Sequence, residues 1–261
     1  MTIDFHDESN RLSYTTREAA NSWTDSIGKM LAEKDIHRAV DIGCGGGIYA
    51  KALYELGIPN VTGIDFSEVM IEAAKTNCAD YSPIDFKVGD AYDTGLIGHT
   101  YDLVLERALI HHLKDLSACF SEAFRVLRRD GTVLIQDRTP TDCLLEGSSS
   151  HIRGYFFNLF PHLKEMEWKR RYTSGKVIQE LRAAGFMEVE EIKLWEVRQR
   201  YTSKKDFLID LKMRTGRSIL HELSDQELIL LIGFIDNQLP VTDEIIEKDQ
   251  WTIWIAHKCD N

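Results

Sequence analysis

Ten residues, 38–47, hold most of the chemistry this sequence can offer. They read Arg-Ala-Val-Asp-Ile-Gly-Cys-Gly-Gly-Gly: a short apolar run, a carboxylate near its end, then a turn with glycine at every second position, Gly43, Gly45 and Gly47. Glycine lets a backbone turn sharply and approach a ligand closely, because no Cβ stands in the way. The amphipathic run Ile48 to Leu56 follows and stops at Gly57 and Pro59, signals that end a helix. A nucleotide-like ligand laid on such a turn meets backbone N–H groups at a helix start. Dinucleotides held this way require G-x-G-x-x-G around a pyrophosphate. Read from Gly43 the sixth position is Ile48; read from Gly45 it is Ala50, which that pattern tolerates. Asp41 suits a different ligand, one that presents an ammonium group and no phosphate.

The elements that must position these residues follow from periodicity. Strands are expected at 39–42, 60–64, 84–88, 101–106 and 132–137, with helices at 46–56, 68–79 and 114–129 between them. Strands alternating with helices argue for a mainly parallel sheet covered on both faces. Ser67 stands at the N-cap of the second of these helices, with Val69, Met70 and Ala73 facing the sheet. Leu116, Cys119, Phe120, Ala123, Phe124 and Leu127 recur at three- and four-residue spacing and read as core. The stretch Gly89 to Thr100 is short and contains glycine, so its covering helix is expected to be reduced or absent. Upstream, a helix from Thr16 or Arg17 to about Lys34 carries an apolar stripe of Ala20, Trp23, Ile27, Met30 and Leu31. Downstream come a helix at 174–183, a sixth strand from Phe186 to Leu194, helices at 205–213 and 225–239, and a last strand at 251–256.

Asp41-Ile-Gly43-Cys-Gly45-Gly-Gly47 resembles the first motif of the class I S-adenosylmethionine-dependent methyltransferases, of the type that act on small molecules. Further segments are similar to that family in the same order: Asp65 after the second strand, Gly89-Asp90-Ala91 after the third, Tyr101 to Glu106 as the fourth, and Arg107 to Leu113 with its His-His-Leu ending. Leu127 to Gly131 leading to Thr132 again matches the family's arrangement. The resemblance is close over residues 38–137 and looser in the flanks.

That resemblance implies a doubly wound, Rossmann-like α/β fold: a seven-stranded, mainly parallel sheet with an antiparallel last strand beside the fifth, plus helical cap and insertions. It implies S-adenosyl-L-methionine as cofactor and S-adenosyl-L-homocysteine as its product. Asp41, Gly43, Cys44 and Gly45 are then expected around the amino-acid and ribose portion, Asp65 at the ribose, and Met70, Asp90 and Ala91 near the adenine, with Phe66 also among the cofactor-binding residues. Met70 reads equally well as core. Glu106, Arg107 and Ala108 are expected under the methionine moiety. Glu106 and Arg107 depart from the small or polar residues usual there; they could form a buried ionic pair, or Arg107 could attract an acidic acceptor. In similar enzymes the segment before the first strand folds over the cofactor, which makes Tyr14, Arg17 and Trp23 lid candidates. Arg17 could pair with the cofactor's carboxylate, or simply lie on the surface.

The whole chain is expected to be one methyltransferase-like domain. It comprises a lid segment at 1–37, a cofactor-binding core at 38–137, a substrate-side cap at 138–172 and a helical excursion at 195–250. Insertions beyond the carboxyl ends of parallel strands are where such sheets bind ligands. Arg153, Tyr155, Phe156, Phe160, His162 and Trp168 are therefore candidates for an acceptor pocket, or for the private core of a cap. Lys204, Lys205, Lys212, Arg214 and Arg217 read as a solvated basic face. His111 is the candidate catalytic base near neutral pH, with a loop-fixing hydrogen bond as its alternative role. His112 should point elsewhere.

Composition bounds the rest. The 261 residues carry 42 acidic against 31 basic side chains, a formal charge of −11, which opposes non-specific binding to nucleic acid. Five scattered cysteines without a C-x-x-C pair give neither a disulfide framework nor a zinc site. Cys44 reads as a small residue fitted to the strand end. No metal is indicated, no apolar run reaches membrane-spanning length, and a cytoplasmic location is expected. The expected activity is methyl transfer to a small organic acceptor. Alternatives are a protein or RNA acceptor, a non-catalytic module that binds the cofactor, and a nicotinamide dehydrogenase, which Asp41 weakens.

Overall fold

A computed structural model describes residues 18–240 and 244–259. Its strands are β1 (Arg38–Ile42), β2 (Asn60–Asp65), β3 (Ile84–Val88), β4 (Tyr101–Arg107), β5 (Leu127–Asp137), β6 (Met187–Tyr201) and β7 (Ile245–His257). Its helices are α1 (Asn21–Leu31), α2 (Ile48–Glu55), α3 (Glu68–Asn77), α4 (Leu116–Val126), α5 (Pro140–Cys143), α6 (Gly154–Leu159), α7 (His162–Arg170), α8 (Ser174–Ala183), α9 (Lys204–Lys212) and α10 (Asp225–Gln238). The strands form one seven-stranded sheet in the order β3-β2-β1-β4-β5-β7-β6. Strands β1 to β5 pair in parallel, and β7 runs antiparallel to β5. This is the sheet the sequence leads one to expect.

The described residues divide into two compact units. The larger contains those up to Asp137, with Thr173–Leu194 and those from Thr252 on; the smaller contains Arg138–Tyr172 and Trp195–Trp251. The expected cap and the expected helical excursion thus fall in one unit.

In the larger unit β1 and β4 are buried along nearly their whole length, as strands covered on both faces must be. The core packs Trp23 and Ile27 of α1 and Leu53 of α2 with Ala39, Leu103, Leu105 and Leu134 of the sheet. Ser67 caps α3, its Oγ accepting from the Met70 backbone N–H at 3.4 Å, and Asp115 caps α4 through Ala118 at 3.0 Å. Among the boundaries that differ from expectation, two have a visible cause. Helix α2 begins at Ile48, two residues late, because Gly47 before it is left-handed. Helix α4 stops at Val126, and Leu127 already belongs to β5. The buried ammonium of Lys258 explains that early end: it donates to the carbonyls of Phe124 at 2.6 Å and Leu127 at 2.8 Å, satisfying acceptors that another helical turn would have used. Between Gly89 and Thr100 no helix forms; a short bridge joins Asp90 and Asp93.

The smaller unit has a core of its own, with Phe156, Phe157, Leu163, Phe207, Leu211, Leu231 and Ile235. Strands β6 and β7 are both longer than their apolar alternation predicts. Ionic contacts across them stand in for apolar burial: Arg198 donates to Glu247 at 2.8 Å, and Arg217 reaches Glu247 and Asp210, both at 2.7 Å. Arg217 is 3% exposed, so it does not belong to a solvated face. No described helix is long and apolar enough to cross a membrane.

Candidate cofactor site

The glycine turn leaves β1 at the carboxyl end of the parallel sheet. The backbone N–H groups of Gly43 and Cys44 both donate to the Ile64 carbonyl, at 2.7 and 2.9 Å, and staple the turn to β2. Gly43, Gly45 and Gly47 all have positive φ, +76°, +50° and +81°, a region side chains rarely enter. Packing adds a second demand at two of them. A Cβ at Gly43 would sit 2.8 Å from Leu109, and one at Gly47 2.9 Å from Phe86. Gly45 differs, since a Cβ there would meet nothing within 4 Å among the described residues. The middle of the turn is open on the side these residues leave.

Two carboxylates flank it. Asp65, at the end of β2, is 8% exposed. Its Oδ2 accepts from the Gly45 N–H and its Oδ1 from the Ser67 N–H, each at 2.9 Å. Asp41 is 2% exposed, accepts from the Ala50 backbone N–H, and its Oδ2 has no hydrogen-bond partner. Burial, and after it repulsion from Asp65, pushes its carboxyl up from 3.8 to about 7, against the pull of Arg107. The Arg107 guanidinium lies 4.0 Å from the centre of the Tyr49 ring. Asp41, Gly43, Gly45, Asp65 and Arg107 are thus brought together.

The remaining candidates are placed as follows. Cys44 is buried, and burial raises its thiol well above the ordinary value, which suits packing and not nucleophilic chemistry. Met70 is buried on α3 and Phe66 is half exposed. Asp90 follows β3, which the Gly89 N–H ties to the Asp65 carbonyl at 3.0 Å; its side chain accepts from the Tyr92 N–H at 2.7 Å. Ala91 is partly buried beside it. Glu106 and Arg107 form no ionic pair, because successive residues of a strand point to opposite faces. Glu106 is fully buried against α4, where Cys119 Sγ approaches its Oε1 at 3.3 Å. Its carboxyl is raised to about 7 by burial. Trp23 is a core residue, fully buried, with its Nε1 donating to Gln136 at 2.6 Å. Tyr14 and Arg17 lie outside the described residues. Of the acceptor candidates, Phe156 is in the smaller unit's core and Trp168 is 53% exposed.

Beyond β4 the chain turns back on itself at Ala108, whose φ is +52°; its N–H donates to the Gln136 carbonyl at 2.8 Å. This turn presents the short 3-10 helix Ile110–His112 to the end of β5. There Asp137 Oδ2 lies 2.8 Å from His111 Nδ1 and accepts from the His111 backbone N–H at 3.2 Å. The carboxylate is 2% exposed and the imidazole 19%. An ionised carboxylate only accepts, so the proton sits on Nδ1 and Nε2 is left as the basic nitrogen. Sequence reasoning missed Asp137, although its place at the carboxyl end of a parallel strand was a usable signal. His112 does not point elsewhere: its ring centre is 3.9 Å from that of His111.

A family model described as a methyltransferase domain matches residues 40–135. The ubiquinone biosynthesis O-methyltransferase of Mesorhizobium japonicum is 32% identical over 99 residues, 38% of this chain and 39% of that protein. The 27-O-demethylrifamycin SV methyltransferase of Amycolatopsis mediterranei is 31% identical over 146 residues, 54% of each chain. The matches thus span about half or less of these relatives' own lengths. Haemonchus contortus phosphoethanolamine N-methyltransferase 2, solved with phosphomonomethylethanolamine and S-adenosylhomocysteine, shares the fold with a TM-score of 0.59. It is 20% identical, with 99% of this chain and 61% of that one covered. Residues 40–135 thus match the methyltransferase-domain family, and the motifs they carry resemble those of the class I S-adenosylmethionine-dependent methyltransferases.

Proposed function

We propose that this protein transfers a methyl group from S-adenosylmethionine to a small organic acceptor. The observation that carries the reading is the meeting of Asp41 and Asp65 on a glycine turn whose middle is open on the side the described residues leave. The amino-acid end of S-adenosylmethionine is a zwitterion, and the site answers it with one anion and one cation. Asp41 has a buried oxygen without a partner, which accepts from the ammonium group. Arg107, close enough to pull the Asp41 pKa down and favour its anion, takes the carboxylate. Asp65 is aimed by two backbone bonds at the ribose hydroxyls, and Phe66, Asp90 and Ala91 border the adenine. Glu106 contributes backbone here and not its carboxylate, and Ala108 turns the chain beneath the methionine portion.

When bound, S-adenosylmethionine supplies a methyl carbon already activated by its positive sulfur. What is left to the chain is to hold an acceptor lone pair in line and to exclude water. His111 takes the acceptor's proton on Nε2, and Asp137 fixes its tautomer and steadies the imidazolium. Relatives named for quinone and rifamycin methylation support a small acceptor.

Calorimetric titration with S-adenosylmethionine, S-adenosylhomocysteine and NAD, on the wild type and Asp65→Ala, tests the reading. Adenosyl-ligand binding that weakens in the variant, with no NAD signal, is the expected result. Folded, ligand-free protein that binds neither adenosyl compound would remove its basis.

A further inference from the structure

We infer, resting on the proposed role of Arg107 at the cofactor's carboxylate, that Tyr49 is the residue that positions it. The face of the Tyr49 ring holds the Arg107 guanidinium in place before the ligand arrives, and Trp23 braces the ring from behind.

An arginine meets its ligand at the end of a long side chain, and ordering such a chain at the moment of binding costs affinity unless it is already held. Arg107 ends β4, and its guanidinium carbon lies 4.0 Å from the centre of the Tyr49 ring. That is well within reach of a cation over an aromatic face, and a planar guanidinium stacks there as an ammonium cannot. Tyr49 is the second residue of α2, so the helix that begins at the glycine turn carries the ring. It is partly buried and packs on the larger unit's core.

The ring is itself held. Trp23 of α1 meets it edge to face, with centres 4.8 Å apart and planes inclined at 66°, an arrangement aromatic pairs prefer. Trp23 is fully buried, and its Nε1 donates to Gln136 Oε1 at 2.6 Å. Gln136, also fully buried, is the residue of β5 in register with Arg107. Four residues thus close a circuit. Stacking joins Arg107 to Tyr49, ring contact joins Tyr49 to Trp23, a hydrogen bond joins Trp23 to Gln136, and strand register returns to Arg107. Trp23, a core residue, acts on the site through Tyr49.

The full chain is titrated calorimetrically with S-adenosylhomocysteine and, separately, with methylthioadenosine, which lacks the amino-acid end. Tyr49→Leu should weaken S-adenosylhomocysteine about three- to thirtyfold, the span of a cation–π contact from exposed to desolvated, and leave methylthioadenosine unchanged. Tyr49→Phe keeps the ring face and should keep the wild-type ratio of the two affinities. In an Arg107→Met background, Tyr49→Leu should bring no further selective loss, as expected of residues that act through one another. Tyr49→Met, which fills the space without a π face, decides the matter if Tyr49→Leu misfolds. Equal losses for both ligands, or an undiminished selective loss in the Arg107→Met background, would overturn the proposal. If Arg107→Met itself leaves the ratio unchanged, or the folded wild type binds neither ligand, the role of Arg107 fails first and that of Tyr49 falls with it.

Discussion

Asp137 holds His111 at two points, the ring Nδ1 at 2.8 Å and the backbone N–H at 3.2 Å. Asp137 ends β5, and His111 lies in the 3-10 helix just past the end of β4, the neighbouring parallel strand. One carboxylate therefore fixes both the loop and the tautomer. The two roles weighed for His111, base and loop anchor, are compatible because they use different atoms.

If Nε2 is the base, His111→Ala should lower turnover about 10²- to 10⁴-fold while S-adenosylhomocysteine affinity stays as in the wild type. Asp137→Asn should lower turnover as well, and nitrogen NMR should show His111 losing its uniform Nδ1–H tautomer. An unaltered tautomer together with unaltered turnover would reduce His111 to a structural residue.

Asp41 gives a pH signature. Its carboxyl is raised from 3.8 to about 7, so between those values the folded chain holds a proton that the unfolded chain has released. Stability therefore falls as pH rises through that window, by at most on the order of 4 kcal/mol for this group. Asp41→Asn should be more stable than wild type at pH 8 and nearly equal below pH about 4, while losing adenosyl-ligand affinity. Glu106, also raised to about 7, should give the same pH pattern as Glu106→Gln without that loss. Denaturant melts at several pH values beside calorimetry would separate the two.

Two glycine substitutions should fail for different reasons. Gly45→Ala meets nothing within 4 Å among the described residues but sits at φ +50°, so it should cost about 1 kcal/mol of stability and a larger share of ligand affinity. Gly63→Ala would place a Cβ 2.5 Å from the Phe86 ring, and overpacking of that kind costs about 1–3 kcal/mol. Equal effects of the two on binding at matched stability would count against the cradle.

Arg107 is predicted to read only the amino-acid end of the ligand. Arg107→Met should weaken S-adenosylmethionine about tenfold or more, the loss expected of a charge-assisted bond. Binding of methylthioadenosine, which lacks that end, should hardly change. Parallel losses for both ligands would place Arg107 elsewhere in the site.

Much of the site was legible because its signals are local. Asp41 and the glycines are neighbours in the chain, and Asp65 closes a strand whose length its apolar residues announce. The orientation of Glu106 was also implicit in strand alternation, yet it becomes plain only when Cys119 of α4 is seen against it. Strands β6 and β7 were read too short because charge pairs such as Arg198 with Glu247 leave no apolar period to find.

By itself, then, the sequence determined the parallel core, the glycine turn and the carboxylates at the strand ends, since backbone conformation and hydrophobic period are written in runs of a few residues. Tertiary structure alone decided the partnerships across distance. His111 meets Asp137, 26 positions away, because parallel pairing sets the ends of β4 and β5 side by side. Arg153 and Arg171 share Glu167, with Asp249 opposite Arg138, because the smaller unit folds segments from two parts of the chain around one core. Such meetings depend on which elements pack together, and no local pattern encodes that.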